Sequence, residues 1–381
     1  MLINKTLRFM AGILAAIGLG VVLLTGYALG TNWSGWSTLF SVMGLIETVS
    51  LNQPPAEKML EGAAMGIVAS LEDPYSRYLE KSQWEELQLQ LSAEFGGIGV
   101  YLIETEEGKL TIVSPIKGTP AERAGLKNGD IVTQINAVST YGMTQDDAVH
   151  LMRGDPGTQV DIVVYRPEES REIEFKIIRE IINVPSVEDK IVNQQPLLGY
   201  IRLNQFHARS AQEIAASLNN METQQVKGLI LDLRDNGGGD FDASVMIADL
   251  FLNASEVVSI KDARGQETIH QAYDGAIAIP MVVLVNKNSA SASEILAGAL
   301  QDNQRAVLVG EKTFGKGLVQ TVYPLADGGA LKLTTQKYYT PNGTDINEIG
   351  INPDIVVQNA DTGDHDLQLE RAIEYLKQKT S

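Results

Sequence analysis

The stretch MVVLVNKNSASASEILAGALQDNQRAVLVGEKTFGKGLVQ, Met281 to Gln320, decides how this chain folds. Met281 to Val285 is an unbroken apolar run of strand length, and Ile295, Leu296, Ala299 and Leu300 then recur at helical spacing. Between them lies a corner of small residues carrying Ser289, Ser291 and Ser293. A helix that starts at this corner offers unpaired N–H groups and the positive end of its dipole. A second strand pattern, Ala306 to Val309, leads on to Thr313-Phe314-Gly315-Lys316-Gly317. Here a lysine stands between two glycines, so that nothing bulky keeps its backbone from the serine corner. Serine with a lysine base is one of the alternatives to a Ser-His-Asp triad. A plainer reading exists as well. Ser291-Ala292-Ser293-Glu294 is S-x-x-E, a capping box in which Ser291 only caps the helix, and Lys316 is then an exposed loop lysine.

Upstream, Gly228 to Asp240 reads GLILDLRDNGGGD, a buried strand that runs into Asp232-Leu233-Arg234 and three successive glycines. Glycines at a strand end let backbone N–H groups face a ligand and stabilise a developing oxyanion, or they simply form a tight turn. No Gly-Lys-Ser/Thr follows, which removes a phosphate loop. Strand patterns at Leu198–Leu203, Leu229–Leu233, Met281–Val285 and Ala306–Val309 alternate with helix patterns at Ala211–Met221, Phe241–Leu252 and Ala292–Leu300. Such alternation predicts parallel β-α units with active groups at strand ends.

The chain of 381 residues has room for several domains, and its net charge of -18 excludes nucleic acid as a partner. It has no cysteine, and its four histidines are scattered without paired spacing, so neither thiol chemistry nor a histidine metal site is expected. Phe9 to Gly30 is almost continuously apolar and long enough to span a bilayer. Lys5 and Arg8 precede it and no Lys or Arg follows until Lys58, so the N-terminus is expected in the cytoplasm and the rest outside. Trp33 and Trp36 would lie at the far interface; the rival is a cleaved signal peptide. Residues 44–90 read as helical packing and homodimer-contact material, with a stop at Asp73-Pro74.

The Met281–Gln320 segment closely resembles the carboxyl-terminal processing proteases, tail-specific peptidases with a Ser–Lys dyad. That resemblance implies Ser291 as nucleophile, Lys316 as base and Gln320 as its neutral orienting partner, at the family's spacing. It also implies an oxyanion hole from Gly237 or Gly238 together with Ala292, although the family usually has proline where this chain has Gly237. Lys337-Tyr338-Tyr339-Thr340-Pro341-Asn342-Gly343 matches the family's closing strand and turn, with no chemistry that requires it. Glu94 to Arg179 looks like a PDZ domain, most specifically in Gly125-Leu126-Lys127-Asn128-Gly129-Asp130-Ile131. In PDZ domains a peptide adds as a strand to an exposed edge and a glycine-containing loop takes its terminal carboxylate. That loop maps to Gly96, Gly97, Ile98 and Gly99. The bland alternative is a small β-rich domain whose glycines only shape turns.

The expected architecture is therefore α/β and multidomain. A transmembrane anchor (9–30) and a helical segment (44–90) precede a PDZ domain (94–180), a crotonase- or ClpP-like protease core (181–358) and a helical tail (359–381). The expected activity is a membrane-anchored, extracytoplasmic serine endopeptidase that acts on proteins or peptides with free C-termini, with no metal or cofactor. Lys316 serves as base only if its pKa falls from about 10.4 toward 7–8, through burial and an absence of nearby anions. Asp302 and Glu311 should accordingly face away. Two other classes use the same features: a membrane-tethered PDZ adaptor with an inert core, and an acyl-CoA enzyme of the crotonase kind.

Overall fold

The computed structural model of the chain describes residues 26, 30, 33–105, 107–358 and 365–380. The apolar run 9–30 lies outside them, apart from Gly26 and Gly30. Among the described residues no helix is long and apolar enough to cross a membrane.

The chain divides into two compact units, Met1–Tyr78 and Leu79–Ser381. The first contains helices α1 (Trp33–Val49) and α2 (Ala56–Ala69). No residue of α1 is buried, and the rings of Trp36 and Phe40 stack 6.2 Å apart. α2 ends a few residues before Asp73-Pro74, where proline forbids the preceding residue an α conformation.

The second unit contains α3 (Lys81–Ser92), so α2 and α3 lie on either side of the expected stop at Asp73-Pro74. A left-handed Ala93 ends α3 and turns the chain into a β module. Its strands are β1 (Glu94–Gly97), β2 (Val100–Glu104), β3 (Leu110–Pro115), β4 (Ile131–Ile135), β5 (Val138–Ser139), β6 (Gln159–Arg166), β7 (Arg171–Ile178) and β8 (Glu180–Asn183). They pair in the order β2-β3-β4-β6-β7, with β5 on β4 and β1 on β8. A short helix, α4 (Pro120–Ala124), follows β3, and β2 is an edge strand flanked by helix α5 (Gln145–Met152) across a shared apolar cluster. The Gly125–Asp130 signature has a structural cause. Asp130 is fully buried and accepts from Arg166 Nε and Nη2, both at 2.7 Å, while Arg166 also donates to the Gly125 carbonyl. A buried pair of this kind survives only with nearly all of its bonds made.

The remaining core is a six-stranded sheet of β9 (Val187–Gln194), β10 (Leu197–Leu203), β11 (Gly228–Asp232), β14 (Met281–Val285), β15 (Val307–Gly310) and β18 (Ile355–Val356), in that spatial order. Only β9 is antiparallel to its neighbour. Helices α6 (Ser210–Thr223), α7 (Phe241–Asp249) and α8 (Ala292–Asp302) contribute to the cluster on one face, which includes Leu231 and Val283. Helix α9 (Leu367–Lys379) covers the other with Ala372 and Leu376, against Ile230 and Val282. Alternate residues of β11 and β14 thus enter opposite cores, which is why both read as unbroken apolar runs. The segment expected as a tail is in this way a full layer of the fold. A second sheet, antiparallel, joins β12 (Glu256–Asp262), β13 (Glu267–Gln271), β16 (Leu318–Pro324) and β17 (Ala330–Tyr339) in the order β16-β17-β12-β13.

Candidate active site

β14 delivers the chain into the turn Asn286–Ala290 and then to Ser291, the residue that precedes α8. Ser291 has φ 56° and ψ −118°, a conformation that costs an L residue about 1–3 kcal/mol and persists only where the surroundings impose it. Glu294 imposes part of it by accepting the Ser291 N–H at 2.9 Å, so one arm of the capping box is real. The capping residue is therefore also a strained one.

The flanking serines do a different task. Ser289 and Ser293 are fully buried, and their hydroxyls donate at 2.8 Å to the carbonyls of Leu233 and Asn236. Those carbonyls belong to the glycine loop after β11, which is thereby tied to the serine corner. Asp235, left-handed at φ 60°, adds a further tie. Its carboxylate accepts from the amides of Asn288 and Asn286, each at 2.8 Å, and these bonds hold its pKa below the ordinary range. Arg234 anchors the loop from behind. It donates to Asp232 at 2.6 Å and to Asp366, just ahead of α9, at 2.7 and 2.8 Å.

Gly238 approaches the corner so closely that a Cβ would lie 2.7 Å from the Ala290 carbonyl and 2.9 Å from Ser291 Cβ. Its φ of 98° is also one that other residues rarely adopt. Its N–H is taken by Asn236 Oδ1 at 2.9 Å. The N–H groups of Gly237 and Ala292 donate to no backbone or side chain among the described residues. Of the two expected glycines, Gly237 is therefore the one with a donor to offer beside Ala292. A Cβ on Gly237 would meet nothing within 4 Å, so this position does not require glycine.

The base loop descends from β15 through Thr313–Gly317 into β16. Its glycines lie against the 347–350 turn rather than the serine corner: a Cβ on Gly315 would sit 2.8 Å from Gly350 N, and one on Gly317 2.7 Å from Asn347 N. Glu294 makes the link to the corner. Fully buried, it accepts from Thr313 Oγ1 at 2.6 Å, Gly315 N at 2.7 Å and Lys316 N at 2.9 Å, besides Ser291 N. Its two oxygens thus serve four donors.

Lys316 is half-buried, and burial pushes its pKa below the ordinary lysine value although Glu294 pulls the other way. The expectation of no nearby anion is thus corrected, because burial wins over one carboxylate already engaged by four donors. Asp302 accepts the Asn342 N–H at 2.9 Å and, like Glu311, lies outside the cavity described next.

Ser291, Ala292, Lys316, Gln320, Gly237 and Gly238 all line one cavity of about 430 Å³. Its apolar wall includes Phe241, Ile295, Leu318 and Val322, with Leu87 and Leu91 from α3. The sequence suggests packing and homodimer contact, rather than a site, for residues 44–90. The hint in the sequence is the row Leu87, Leu89 and Leu91 on a helix otherwise rich in Gln and Glu.

Gly97, Ile98 and Gly99 line a separate cavity of about 220 Å³, together with Val100, Tyr101 and Leu102 of β2 and Val149 and Met152 of α5. Gly96 is not part of it. A Cβ there would lie 2.0 Å from the Gly154 carbonyl, and the Gly154 N–H bonds back to Gly96, so its smallness serves packing.

The profile of peptidase family S41 matches residues 197–357, and that of the PDZ domain matches residues 111–166. A carboxy-terminal-processing protease of Bartonella bacilliformis is 36% identical over 369 residues, covering 94% of this chain and 83% of that protein. A carboxyl-terminal-processing protease of Synechocystis sp. is 42% identical, covering 77% and 69%. Among solved structures, a photosystem II D1 C-terminal processing protease superposes with a TM-score of 0.51 at 32% identity, covering 86% of this chain and 88% of that one.

Proposed function

This chain belongs to peptidase family S41, and we propose that it is a serine endopeptidase that cleaves proteins near their C-termini through a Ser291–Lys316 dyad. One observation carries the reading. A half-buried lysine with a depressed pKa shares a cavity with a strained serine at a helix start.

Neutral Lys316 takes the Ser291 Oγ proton as that oxygen attacks the scissile carbonyl. The N–H groups of Gly237 and Ala292 receive the oxygen that becomes negative, where fixed dipoles cost no reorganisation. The lysinium then protonates the leaving amine, and water repeats the sequence on the acyl-enzyme. Gln320, neutral and on the same cavity wall, orients the lysine without holding it charged. The Leu87, Leu91, Ile295 and Val322 wall favours an apolar substrate residue beside the cut.

We also propose that a substrate tail adds to the open edge of β2, with its carboxylate at Gly97-Ile98-Gly99. The apolar run 9–30 behind Lys5 and Arg8 supports a single membrane span with the catalytic part outside, and the uncovered apolar face of α1 supports a homodimer contact.

The test is a peptide library with varied C-termini, each member as free acid and as amide, with products mapped by mass spectrometry. Cleavage near the end that slows on amidation is expected. Equal cleavage of both forms removes tail recognition from the PDZ domain, and no cleavage of any member returns the chain to an adaptor.

A further inference from the structure

Tyr338 lies on β17 inside the segment Lys337–Gly343, whose sequence suggested a strand and a turn and no chemistry. Its ring is 1% exposed and packs in the main core, while its edge reaches the catalytic cavity. Its hydroxyl donates to the Ser291 carbonyl at 3.2 Å and, more closely, to the Lys316 carbonyl. A phenol has one proton to give, so the two carbonyls share it.

Glu294 supplies the counterpart. A single oxygen of that carboxylate, Oε2, accepts the N–H of Ser291 and the N–H of Lys316, both at 2.9 Å. The backbone of each proposed dyad member is therefore held by its N–H on Glu294 and by its C=O on Tyr338, and the Ser291 carbonyl also accepts the helix N–H groups of Glu294 and Ile295 at 2.8 and 3.0 Å. Two atoms from separate elements thus bridge the nucleophile and the base directly. Glu294 rides on the helix that Ser291 begins, whereas Tyr338 comes from the second sheet.

We propose that Tyr338 is a positioning residue for the peptidase reaction, its hydroxyl fixing Ser291 and Lys316 relative to each other through their carbonyls. This rests on the Ser291–Lys316 reading given above. Without the hydroxyl, the ring still fills its place in the core. The base loop, however, then keeps as ties to the serine corner Glu294 and the Phe314 N–H on the Ser289 carbonyl at 3.0 Å, neither of which holds the Lys316 carbonyl, so Lys316 gains room to move outward into water.

Tyr338→Phe removes the one oxygen and nothing else. The expected result is a fall in kcat of roughly ten- to a hundredfold, the scale that follows a displacement near 1 Å. KM should stay within about twofold, since substrate contacts are untouched. The acid limb of kcat/KM should also move to higher pH, because a better solvated Lys316 holds its proton more tightly. 4-Aminophenylalanine at 338 restores a donor at that place and should recover turnover even if the phenylalanine variant folds poorly. Tyr339→Phe, next in sequence with Lys261 over its ring at 4.8 Å, should match the parent. An unchanged kcat and pH profile in Tyr338→Phe overturns the proposal, and so does a loss that 4-aminophenylalanine fails to reverse. Ser291→Ala is measured alongside. If it is inactive while Tyr338→Phe matches the parent, only the role of Tyr338 falls; if it still turns over, the dyad falls and Tyr338 with it.

Discussion

Glu294→Gln keeps the shape of the side chain and changes one acceptor end into a donor. The parent carboxylate accepts from Thr313 Oγ1, Gly315 N, Lys316 N and Ser291 N, all between 2.6 and 2.9 Å and wholly out of water. The amide's least costly orientation keeps its oxygen toward Ser291 and Lys316 and turns its NH2 toward Thr313 and Gly315. The Thr313 hydroxyl can reverse and accept, but the Gly315 N–H then faces another donor. One buried donor left unpaired costs about 1–3 kcal/mol, and two bonds that lose charge assistance add about 1 kcal/mol each, so the total is about 3–5 kcal/mol. Thermal unfolding should show this as a midpoint lower by roughly 10 °C. Initial rates on a tail peptide should fall by on the order of a hundredfold, because the carboxylate bridges the nucleophile and the base loop. A Glu294→Gln enzyme as stable and as active as the parent would refute the claim that this carboxylate holds the site together.

The two oxyanion-loop glycines should separate cleanly. Gly238→Ala forces a Cβ to within 2.7 Å of the Ala290 carbonyl at φ 98° and should lower kcat on the order of a hundredfold, whereas Gly237→Ala, with nothing within 4 Å, should keep most activity. Measuring kcat and KM for both decides it, and equal behaviour would mean that Gly238 is not in close contact with the corner. Ser289→Ala and Ser293→Ala each remove a buried hydroxyl from a loop carbonyl and should cost about 1–3 kcal/mol in denaturant unfolding, with a partial loss of kcat. Unfolding curves that coincide with the parent's would show that those bonds do not hold the loop.

Much of this arrangement is legible in the sequence wherever burial imposes a pattern on neighbouring residues. β11 and β14 read as continuous apolar runs because helices cover both faces of the sheet. The S-x-x-E letters revealed that Glu294 returns to the Ser291 N–H, since that bond is local. Its other three bonds go to residues that the chain reaches only after β15, and no spacing rule connects them. Tyr338 escaped for the same reason: its partners are main-chain carbonyls, which have no letter in the sequence. The glycines around Lys316 are expected from the sequence to bring its backbone to the serine corner, but the surface they approach is the 347–350 turn. α9 was visible as a helix, yet what it covers depends on the fold of everything before it. Gly96 and Gly97 stand side by side in sequence, but only Gly97 lines the PDZ cavity, because strand pairing fixes which backbone faces the groove.

The central claim is that Lys316 serves Ser291 as a neutral base, and kcat/KM against pH for the parent and for Lys316→Arg tests it most directly. The ammonium form cannot accept a proton, so the parent's kcat/KM should rise with pH along one ionisation of the free enzyme. Burial depresses that ionisation, so its midpoint should lie below the ordinary lysine value of about 10.4. Arginine keeps its proton across the whole range, so Lys316→Arg should be inactive at every pH despite its preserved charge. A Lys316→Arg enzyme that cleaves the peptide, or a parent profile flat across that ionisation, would contradict the account.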